Sequence, residues 1–397
     1  MLSNKKILVG VCSSVALYKA LDFIRRLKRR GAEVHVMMTA HAAELISPQL
    51  FHAVSGHPVL TQLFDSDGLE SMPHLNPIQS ADLVLILPAT ANMLAKMSHG
   101  LADDLISTSI LATAAPVVVV PAMNTQMWGH PAVQSNVEVL QSRGVVVVRP
   151  IEGELACGVS GEGHLAEFAT IERALERAVT VQDLKGKKVL ITCGPTFEAL
   201  DPVRGLTNRS SGKMGFALAH HSLVRGAEVF FVSSLFDQST FADPHLKFIS
   251  VDSAEAMKEA VLRFLPDADV FISAAAVCDY RPISYSPSKL KKSQSSFSVE
   301  WQTNPHILQA ALAQKKQGQV VVGFALETEN LQENALEKWQ RWEPMGCDLL
   351  VANGAGVLGG DEGTFMLMDR EGRHPFVGSK SQLSQQIGDK LVQLLKV

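Results

Sequence analysis

Cysteine is scarce in this sequence, and its distribution excludes two common uses of the residue. The five cysteines are widely spaced and form no C-x-x-C pair; they are Cys12, Cys157, Cys193, Cys278 and Cys347. A disulfide framework needs paired cysteines, and a zinc site needs clustered ligands. The sequence therefore predicts neither. Unpaired cysteines are typical of proteins in a reducing compartment, and we expect this compartment to be the cytoplasm.

Long apolar runs and an excess of one charge are absent as well. No window approaches the roughly 18 consecutive apolar residues that a membrane helix needs. The run at residues 7–11 is too short for a signal peptide and leads into an amphipathic stretch. The 36 basic residues against 40 acidic residues give a net charge of −4. We therefore expect neither a membrane nor nucleic acid as a partner, and favour small molecules.

Apolar residues, in contrast, are plentiful enough for two hydrophobic cores. They make up 46% of the 397 residues, and a domain holds about 150 residues, so two domains are the simplest expectation. One pattern occurs twice, at residues 5–36 and again at 188–232: an apolar run, a helical stretch that a glycine ends, and a second apolar run. Each occurrence predicts a strand, a helix and a strand at the start of a domain.

Further apolar runs extend both halves into sheets. They lie at residues 83–87, 116–120, 145–148, 270–274, 320–324 and 349–352. Nearly unbroken apolar strands that alternate with helices are typical of parallel sheets covered on both faces. We therefore predict an α/β fold of two doubly wound parallel-sheet domains, 1–183 and 184–397, with ligands at the carboxyl ends of the strands. A hairpin pattern around residues 369–373 predicts an antiparallel edge on the second sheet.

Two glycine motifs fail the requirements of the nucleotide sites that they suggest. Ser211-Gly212-Lys213 lacks the first glycine and the final Ser or Thr of a Walker A loop. The run that begins at Gly161 fits a loose G-x-G-x-x-A, but no strand directly feeds it. Neither motif therefore predicts a phosphate loop.

A segment rich in serine and lysine, residues 284–298, includes Lys289-Leu290-Lys291-Lys292. Charge runs of this kind are usually solvated loops. The alternative is a mobile cationic flap that closes on phosphates. The residues alone leave both interpretations open.

Other motifs resemble one family over essentially the whole chain. In the first half they are Ala16-Leu17-Tyr18-Lys19, Pro88-Ala89-Thr90-Ala91-Asn92, Pro121-Ala122-Met123-Asn124 with Met127, and Ala156-Cys157-Gly158. In the second half they are Asp201-Pro202-Val203-Arg204, Asn208 to Gly215, Ala274 to Tyr280, Gly323-Phe324-Ala325 and Ala352-Asn353. The chain is similar to the bifunctional coenzyme A biosynthesis family, in which phosphopantothenoylcysteine decarboxylase is fused to phosphopantothenate–cysteine ligase. The resemblance implies a flavodoxin-like flavoprotein domain followed by a Rossmann-like ligase domain.

For the first domain, the resemblance implies FMN as the cofactor and decarboxylation of phosphopantothenoylcysteine to 4′-phosphopantetheine. Decarboxylation of an acylated cysteine lacks an electron sink, which a flavin supplies by oxidising the thiol side chain. The implied catalytic residues are His74 as base, Asn124 as donor to the substrate carboxylate, and Cys157 as proton donor. Met123 and Met127 would line the substrate pocket. On residue type alone, Asn124 is equally well a turn former and Cys157 a small buried residue.

The implied FMN contacts are polar residues that follow strands. They are Ser13, Ser14, Thr39, Thr90 and Asn92. Hydroxyl groups and helix N-termini hold phosphate readily. Relatives usually have glycine in the turn that Cys12-Ser13-Ser14 occupies here, and glycine allows a closer approach of phosphate to the backbone.

For the second domain, the resemblance implies ligation of cysteine to 4′-phosphopantothenate through an acyl-cytidylate formed from CTP. Lys289 with Mg2+ would neutralise the triphosphate, and Asn208 would orient the activated carbonyl. Matching nucleotide contacts are Asp279, Phe324 and Lys338, although a loop cap, core packing and a solvated helix face explain them equally well. Relatives commonly have lysine in place of Trp342 and aspartate in place of His306.

Two other functions fit part of these motifs. One is an active decarboxylase with an impaired ligase domain, which the two substitutions at Trp342 and His306 suggest. The other is a non-enzymatic flavin-binding regulatory protein, against which the intact ligase motifs argue. The resemblance also implies homo-oligomers, with trimers through the N-terminal domain and dimers through the C-terminal domain.

Overall fold

The protein is described by a computed structural model that covers residues 1–63, 76–154, 160–235, 243–291, 297–327, 329–357 and 359–396. The chain divides into two units, Met1–Val181 and Gln182–Val397. Among the helices of these residues, none has both the length and the apolar character to cross a membrane.

The first unit is built on a parallel sheet with helices between its strands. Its strands are β1 (Lys6–Val11), β2 (Glu33–Met38), β3 (Val59–Leu60), β4 (Leu83–Ala89), β5 (Val117–Pro121), β6 (Val146–Val147), β7 (Ile151–Glu154) and β8 (Ser160–His164). Its helices are α1 (Leu17–Arg29), α2 (Ala40–Leu45), α3 (Pro48–Ser55), α4 (Asn76–Gln79), α5 (Ala91–His99), α6 (Leu105–Leu111), α7 (Thr125–Trp128), α8 (Pro131–Ser142) and α9 (Phe168–Val179). The sheet order is β3-β2-β1-β4-β5-β6, and β7 pairs with β8 as a separate antiparallel hairpin.

Both faces of the first sheet are covered, because successive residues of a strand point to opposite faces. Val9 of β1 belongs to one buried cluster together with Ile24 of α1. Leu8 belongs to a second cluster together with Met93 of α5. The unbroken apolar strands therefore mark a sheet buried on both sides, and the predicted doubly wound fold is confirmed.

The second unit repeats this plan and adds an antiparallel edge. Its strands are β9 (Lys188–Cys193), β10 (Phe197–Ala199), β11 (Gly205–Thr207), β12 (Glu228–Ser233), β13 (Leu246–Ser250), β14 (Val270–Ser273), β15 (Tyr280–Pro282), β16 (Trp301–Thr303), β17 (Val320–Glu327), β18 (Leu349–Gly354), β19 (Glu362–Asp369) and β20 (Gly372–Ser379). Its helices are α10 (Lys213–Val224), α11 (Ala254–Phe264), α12 (Ile307–Leu312), α13 (Leu331–Trp342) and α14 (Lys380–Leu395), with 3-10 turns at Leu265–Asp267 and Ala355–Val357. The sheet order is β13-β12-β9-β14-β17-β18-β19-β20.

The last two strands of this sheet are antiparallel, as the hairpin pattern predicted. β18 pairs with β19, and β19 with β20, in antiparallel register, whereas the pairs from β13 to β18 are parallel. Two short antiparallel ribbons, β10-β11 and β15-β16, were not predicted. Their strands have three residues each, too few for a periodic pattern.

Each sheet reverses its strand order once, and this reversal creates a crevice for ligands. The reversal lies between β1 and β4 in the first sheet and between β9 and β14 in the second. Open α/β sheets bind ligands at such a point, outside the carboxyl ends of the strands. In the second unit, α10 begins close to this point because residue 215 is glycine. A Cβ atom there would lie only 2.5 Å from Cys193 Sγ at the end of β9.

Candidate active sites

The first unit has a cleft of about 530 Å³ at the reversal point of its sheet. Segments that follow β1, β4 and β5 line it, together with the end of β8. Of the predicted site residues, it contains Ser13, Ser14, Thr90, Met123, Asn124 and Met127. Sequence-distant segments therefore meet at the place where the fold predicts a ligand.

Hydrogen bonds hold the polar residues of this cleft in place. Thr90 Oγ1 accepts from Met93 N at 3.3 Å, and Asn124 Oδ1 accepts from Gln126 N at 2.8 Å, so each residue caps the helix that follows it. Ser14 Oγ donates to Ala122 O at 3.0 Å, which links the turn after β1 to the segment after β5. The turn-former interpretation of Asn124 is thus compatible with a position in the cleft.

Two predicted residues of this site do not line the cleft, and two others lie outside the described residues. Thr39 caps α2, where its Oγ1 accepts from Ala42 N at 3.2 Å, and Asn92 is exposed in the first turn of α5. Neither lines the cleft. Position after a strand alone cannot distinguish them from Thr90, because side-chain direction decides which residue faces the crevice. His74 and Cys157 lie outside the described residues.

His164 lines the cleft and was missed by the sequence analysis. Its Nδ1 atom is buried and lacks a hydrogen-bond partner among the residues that the structure describes. Gly163 allows this placement, since a Cβ atom there would lie 2.3 Å from Met123 O. The available signal was an imidazole directly after the glycine-rich run that follows Cys157. A buried unpaired nitrogen is costly, but this one lies against Gly153 of β7 and is not accessible from the cleft, so it does not mark a ligand contact.

The second unit has two adjoining cavities at its own reversal point. The larger one is about 680 Å³ and lies between the segment from Asn208 and helices α12 and α13. We call it the nucleoside cleft after the ligand that the family resemblance implies. The smaller one, the helix pocket, is about 130 Å³ and lies at the N-terminus of α10. Both are lined by Ser210, Ala275 and Phe324. Asp279, Phe324 and Lys338, predicted for the nucleotide, all line the nucleoside cleft.

Asn208 is fixed by the loop that follows β14. Its Nδ2 donates to Ala276 O at 3.1 Å and to Val277 O at 3.0 Å. Both amide protons are therefore used, and the carboxamide oxygen is the atom available to a ligand. This arrangement favours acceptance of a hydrogen bond by Asn208, which the family resemblance implies to orient the activated carbonyl.

The cations of helix α13 differ in their availability. Lys338 Nζ lies 2.7 Å from Glu327 Oε1, so its charge is paired with a nearly buried carboxylate. Arg341 also lines the nucleoside cleft, is exposed, and has no ion pair with any residue in the described part of the chain. Residues three and four apart share one helix face, which explains why Lys338, Arg341 and Trp342 line the same cleft. Arg341 was not predicted, because the family pattern pointed only to the residue four positions after Lys338.

Trp342 and His306, the two departures from the family pattern, contact each other. Their rings meet edge to face with centroids 5.6 Å apart, and Trp342 is 7% exposed. Burial and the positive charge of Arg341 hold the pKa of His306 below its usual value. His306 Nδ1 accepts from Gln309 N at 3.3 Å and caps α12. The pair therefore forms a neutral wall of the cleft.

The helix pocket combines a helix N-terminus with two lysines. Lys213 Nζ lies 2.7 Å from Asp361 Oδ1 and donates to Gly359 O at 3.0 Å. Lys380 Nζ donates to Gly360 O at 2.6 Å. Burial, and the neighbouring charge of Lys213, lower the pKa of Lys380. Free amides of a first helical turn and adjacent ammonium groups favour an anion such as phosphate.

Lys289 is exposed and does not line either cavity. Its neighbour Leu290 is anchored, because Leu290 N donates to Asp201 Oδ2 at 3.1 Å and Arg204 donates to Leu290 O. Burial opposes ionisation of Asp201, but donation from Val203 N and two other amides holds its pKa below the usual value. Ser286 N also donates to Leu200 O at 3.0 Å, so the segment that carries Lys289 is attached at more than one point to the loop that follows β10.

Comparison with known families agrees with this architecture. The family described as "Flavoprotein" matches residues 1–180, and the family described as "DNA/pantothenate metabolism flavoprotein C-terminal domain" matches residues 184–395. Fold, cavities and family matches together define a two-domain flavoprotein of pantothenate metabolism.

Individual relatives cover nearly the whole chain. The coenzyme A biosynthesis bifunctional protein CoaBC of Vibrio vulnificus (strain YJ016) is 43% identical over 360 residues, which are 90% of this chain and 88% of that protein. Its counterpart in Bacillus subtilis (strain 168) is 39% identical over 409 residues, with 100% and 98% covered. A crystal structure of a CoaBC C-terminal domain is 32% identical and covers 54% of this chain and 98% of that chain, with a TM-score of 0.44.

The chain belongs to the family of coenzyme A biosynthesis bifunctional proteins. The resemblance stated from the motifs is thereby confirmed. The expected enzyme class, a phosphopantothenoylcysteine decarboxylase joined to a phosphopantothenate–cysteine ligase, is confirmed with it. The impaired-ligase and regulatory alternatives are not favoured.

Proposed function

We propose that residues 184–397 ligate cysteine to 4′-phosphopantothenate with CTP, and that residues 1–183 decarboxylate the product to 4′-phosphopantetheine with FMN. The observation that carries this proposal is the coincidence of fold and motif in both units. In each, residues of the family motifs line a cavity at the reversal point of the sheet. The product of the second unit is then the substrate of the first.

The residues of the first cleft fit FMN. The cleft has room for a planar ring system, and the hydroxyl-bearing residues Ser13 and Thr90 line it. Hydroxyl groups beside a helix N-terminus suit the phosphate. The chemistry that FMN supplies when bound is the reversible oxidation of the cysteine thiol, which provides an electron sink for loss of CO2.

The chain itself supplies positioning and proton transfer. Asn124 caps α7 through its Oδ1 and lines the cleft. Following the motif match, we propose that its amide donates to the substrate carboxylate. Met123 and Met127 give the pocket an apolar surface on which an acyl chain can pack. We assign proton removal from the thiol to His74 and proton return to Cys157, following the motif match.

For the ligase reaction, we propose that the triphosphate binds in the helix pocket and the nucleoside in the nucleoside cleft. The first turn of α10, with Lys213 and Lys380, offers amides and ammonium groups to phosphates. Asp279 and the ring of Phe324 line the adjoining cleft, where a ribose and a base fit. The described residues of these cavities include no cluster of three carboxylate or imidazole ligands. We therefore expect Mg2+ to enter with the nucleotide, held by phosphates and water.

Asn208 and Lys289 act on the reacting groups in this proposal. The free carboxamide oxygen of Asn208 can accept an N–H of the cysteine amine and direct that amine to the activated carbonyl. Lys289 neutralises charge on the leaving pyrophosphate when its segment closes over the helix pocket. The hydrogen bond from Leu290 N to Asp201 Oδ2 keeps Lys289 close to the loop that follows β10.

We also propose a homo-oligomer that works in the cytoplasm, with trimers through the first unit and dimers through the second. Support for assembly comes from apolar side chains exposed beside the first cleft, Val15 at 75% and Tyr18 at 56%, since such residues are often covered by a partner. Support for a reducing compartment comes from the four described cysteines, which are all free and buried. Light scattering on the purified protein measures the oligomeric state.

The test uses the full chain and follows each half-reaction separately. Pyrophosphate release that depends on CTP, cysteine and phosphopantothenate reports ligation, and CO2 release from phosphopantothenoylcysteine reports decarboxylation. Lys289→Gln should abolish only the first, Cys157→Ser only the second, and Lys291→Gln, an exposed lysine two positions away, should change neither. Full-rate ligation by Lys289→Gln, or no CTP-dependent pyrophosphate release by the wild type, would contradict the proposal.

A further inference from the structure

The outer edge of the first sheet carries two imidazoles and a carboxylate that neither proposed reaction uses. Glu33 and His35 are alternate residues at the start of β2, so both project from the same face of the strand. His57 precedes β3, and the parallel pairing of Val36 with Val59 brings it beside β2. We call Glu33, His35 and His57 the edge triad.

Potential ligand atoms of the edge triad lie close together. His35 Nε2 lies 2.9 Å from Glu33 Oε1, and the rings of His35 and His57 stack with centroids 4.3 Å apart. One ligand atom from each residue lies within 4.8 Å of the other two. Zinc bonds of about 2.0–2.2 Å separate tetrahedral ligand atoms by about 3.3–3.6 Å. Binding of one ion therefore requires these atoms to adjust to that separation and the two stacked rings to tilt, so that both nitrogen lone pairs point at the ion.

The backbone of His57 is fixed while its ring nitrogens are available. His57 N donates to Ser55 Oγ at 3.2 Å, and His57 O accepts from His52 Nδ1 at 2.9 Å. The ring nitrogens of His57 have no hydrogen-bond partner within the described ranges of the chain. The nearby Lys28 uses its ammonium group to donate to Ser55 O at 2.7 Å and Val54 O at 3.2 Å. The loop thus presents a free imidazole on a constrained backbone.

We propose that the edge triad binds a first-row divalent cation, with zinc as the best fit. Two imidazoles and one carboxylate are ligand types that zinc prefers, and three protein ligands leave a fourth position for water. The site lies at the amino-terminal start of β2, whereas the first cleft lies at the carboxyl ends of the strands. It therefore serves structure and not the reaction.

The cation would fasten a weakly held strand. β3 has only two residues, and its pairing with β2 consists of Val36 with Val59 and Met37 with Leu60. A bond network through His57 adds a third attachment directly before β3. Because zinc binds the folded arrangement and not the unfolded chain, its free energy of binding stabilises this edge of the sheet.

The test measures metal binding by the flavin-containing full chain after treatment with a chelator. Zinc is titrated against a chromophoric chelator, and cobalt is added separately to detect the absorption of a tetrahedral site at wavelengths beyond the flavin bands. We expect one tight equivalent of zinc and a higher melting temperature with zinc. His57→Ala and Glu33→Gln should each weaken binding by at least about 10- to 100-fold. Glu33→Gln is close in shape to the natural residue, so it tests ligation even if His57→Ala lowers stability.

Two matched controls separate this site from adventitious binding. His41→Gln removes an exposed imidazole of the same unit outside the edge triad, and His374→Gln removes the imidazole from a second group of potential ligands, Asp369, Glu371 and His374. Both variants should keep the tight equivalent. Absence of tight binding in the wild type overturns the proposal. So does binding that survives both His57→Ala and Glu33→Gln, or that is lost equally in His41→Gln.

Discussion

Replacing Trp342 by lysine, the residue that relatives commonly have, should destabilise the second unit rather than improve nucleotide binding. Trp342 is the last residue of α13 and is 7% exposed within a buried cluster. Its ring contacts His306 and lies against Gly323, where a Cβ atom would be 3.4 Å from it. The tryptophan therefore fills a space in the core that a lysine ammonium group cannot occupy.

The expected loss follows from the area involved. A tryptophan side chain buries about 150–250 Å², which at about 25 cal/mol per Å² corresponds to about 4–6 kcal/mol. The lysine stem can cover part of this surface while its ammonium group reaches solvent at the helix end. The C-terminal position of a cation on the helix returns about 0.3–1 kcal/mol. A net loss of about 2–3 kcal/mol in the free energy of unfolding remains.

Thermal unfolding of the full chain, with a probe for the second unit, measures this loss. For a unit of this size we expect the melting temperature to fall by about 5–10 °C. Gln340→Lys, an exposed position on the same helix, is the matched control and should be within about 1 °C of the wild type. A Trp342→Lys variant that melts with the wild type and has a lower KM for CTP would refute the argument that residue 342 belongs to the core.

Three further outcomes are expected. Arg341→Gln should raise the KM for CTP by about 10-fold with little change in kcat, because Lys338 is already paired with Glu327 and Arg341 is then the cation that binds the nucleotide. An unchanged KM in steady-state assays would exclude this role for Arg341. Thr90→Val should lose a helix cap and weaken FMN binding by about 10-fold in fluorescence titrations. A variant that binds FMN with wild-type affinity would exclude a flavin contact at Thr90. Burial, with Arg225 nearby, lowers the pKa of His221 from 6.5 to about 4. The unfolded chain therefore takes up the proton first, and stability that is complete above pH 6.5 is lost as the pH falls towards 4. At pH 5 the free energy of unfolding, measured with urea, should be about 2 kcal/mol lower than above pH 6.5. A His221→Gln variant with the same pH dependence as the wild type would contradict this expectation.

The arrangement of the first cleft was predictable in part. The family resemblance implied Ser13, Thr90 and Asn124, and all three line the cleft, since each follows a buried strand and parallel strands bring their carboxyl ends to one edge. Thr39 meets the same criterion but caps α2 outside the cleft. Whether such a residue faces the crevice depends on the direction of its side chain in the folded chain, and no local pattern predicts that direction.

In the second unit, the charged residues were likewise predictable only in part. Lys338 was predicted from the family motif. Glu327, which neutralises it, lies on β17, so this ion pair joins two separate elements. Likewise, the two departures at His306 and Trp342 were noticed separately, and only the packing of α12 against α13 and the sheet shows that their rings meet.

The sequence by itself determined the two α/β units and the family, because apolar periodicity, glycine-ended helices and contiguous motifs are properties of short segments. Tertiary structure alone decided which polar groups face the cavities, which cations are already paired, and which hydrogen-bonding atom of Asn208 remains available. The physical reason is that these properties depend on distances between residues far apart in the chain. The edge triad has the same origin, since register between β2 and β3 brings His57 to Glu33 and His35.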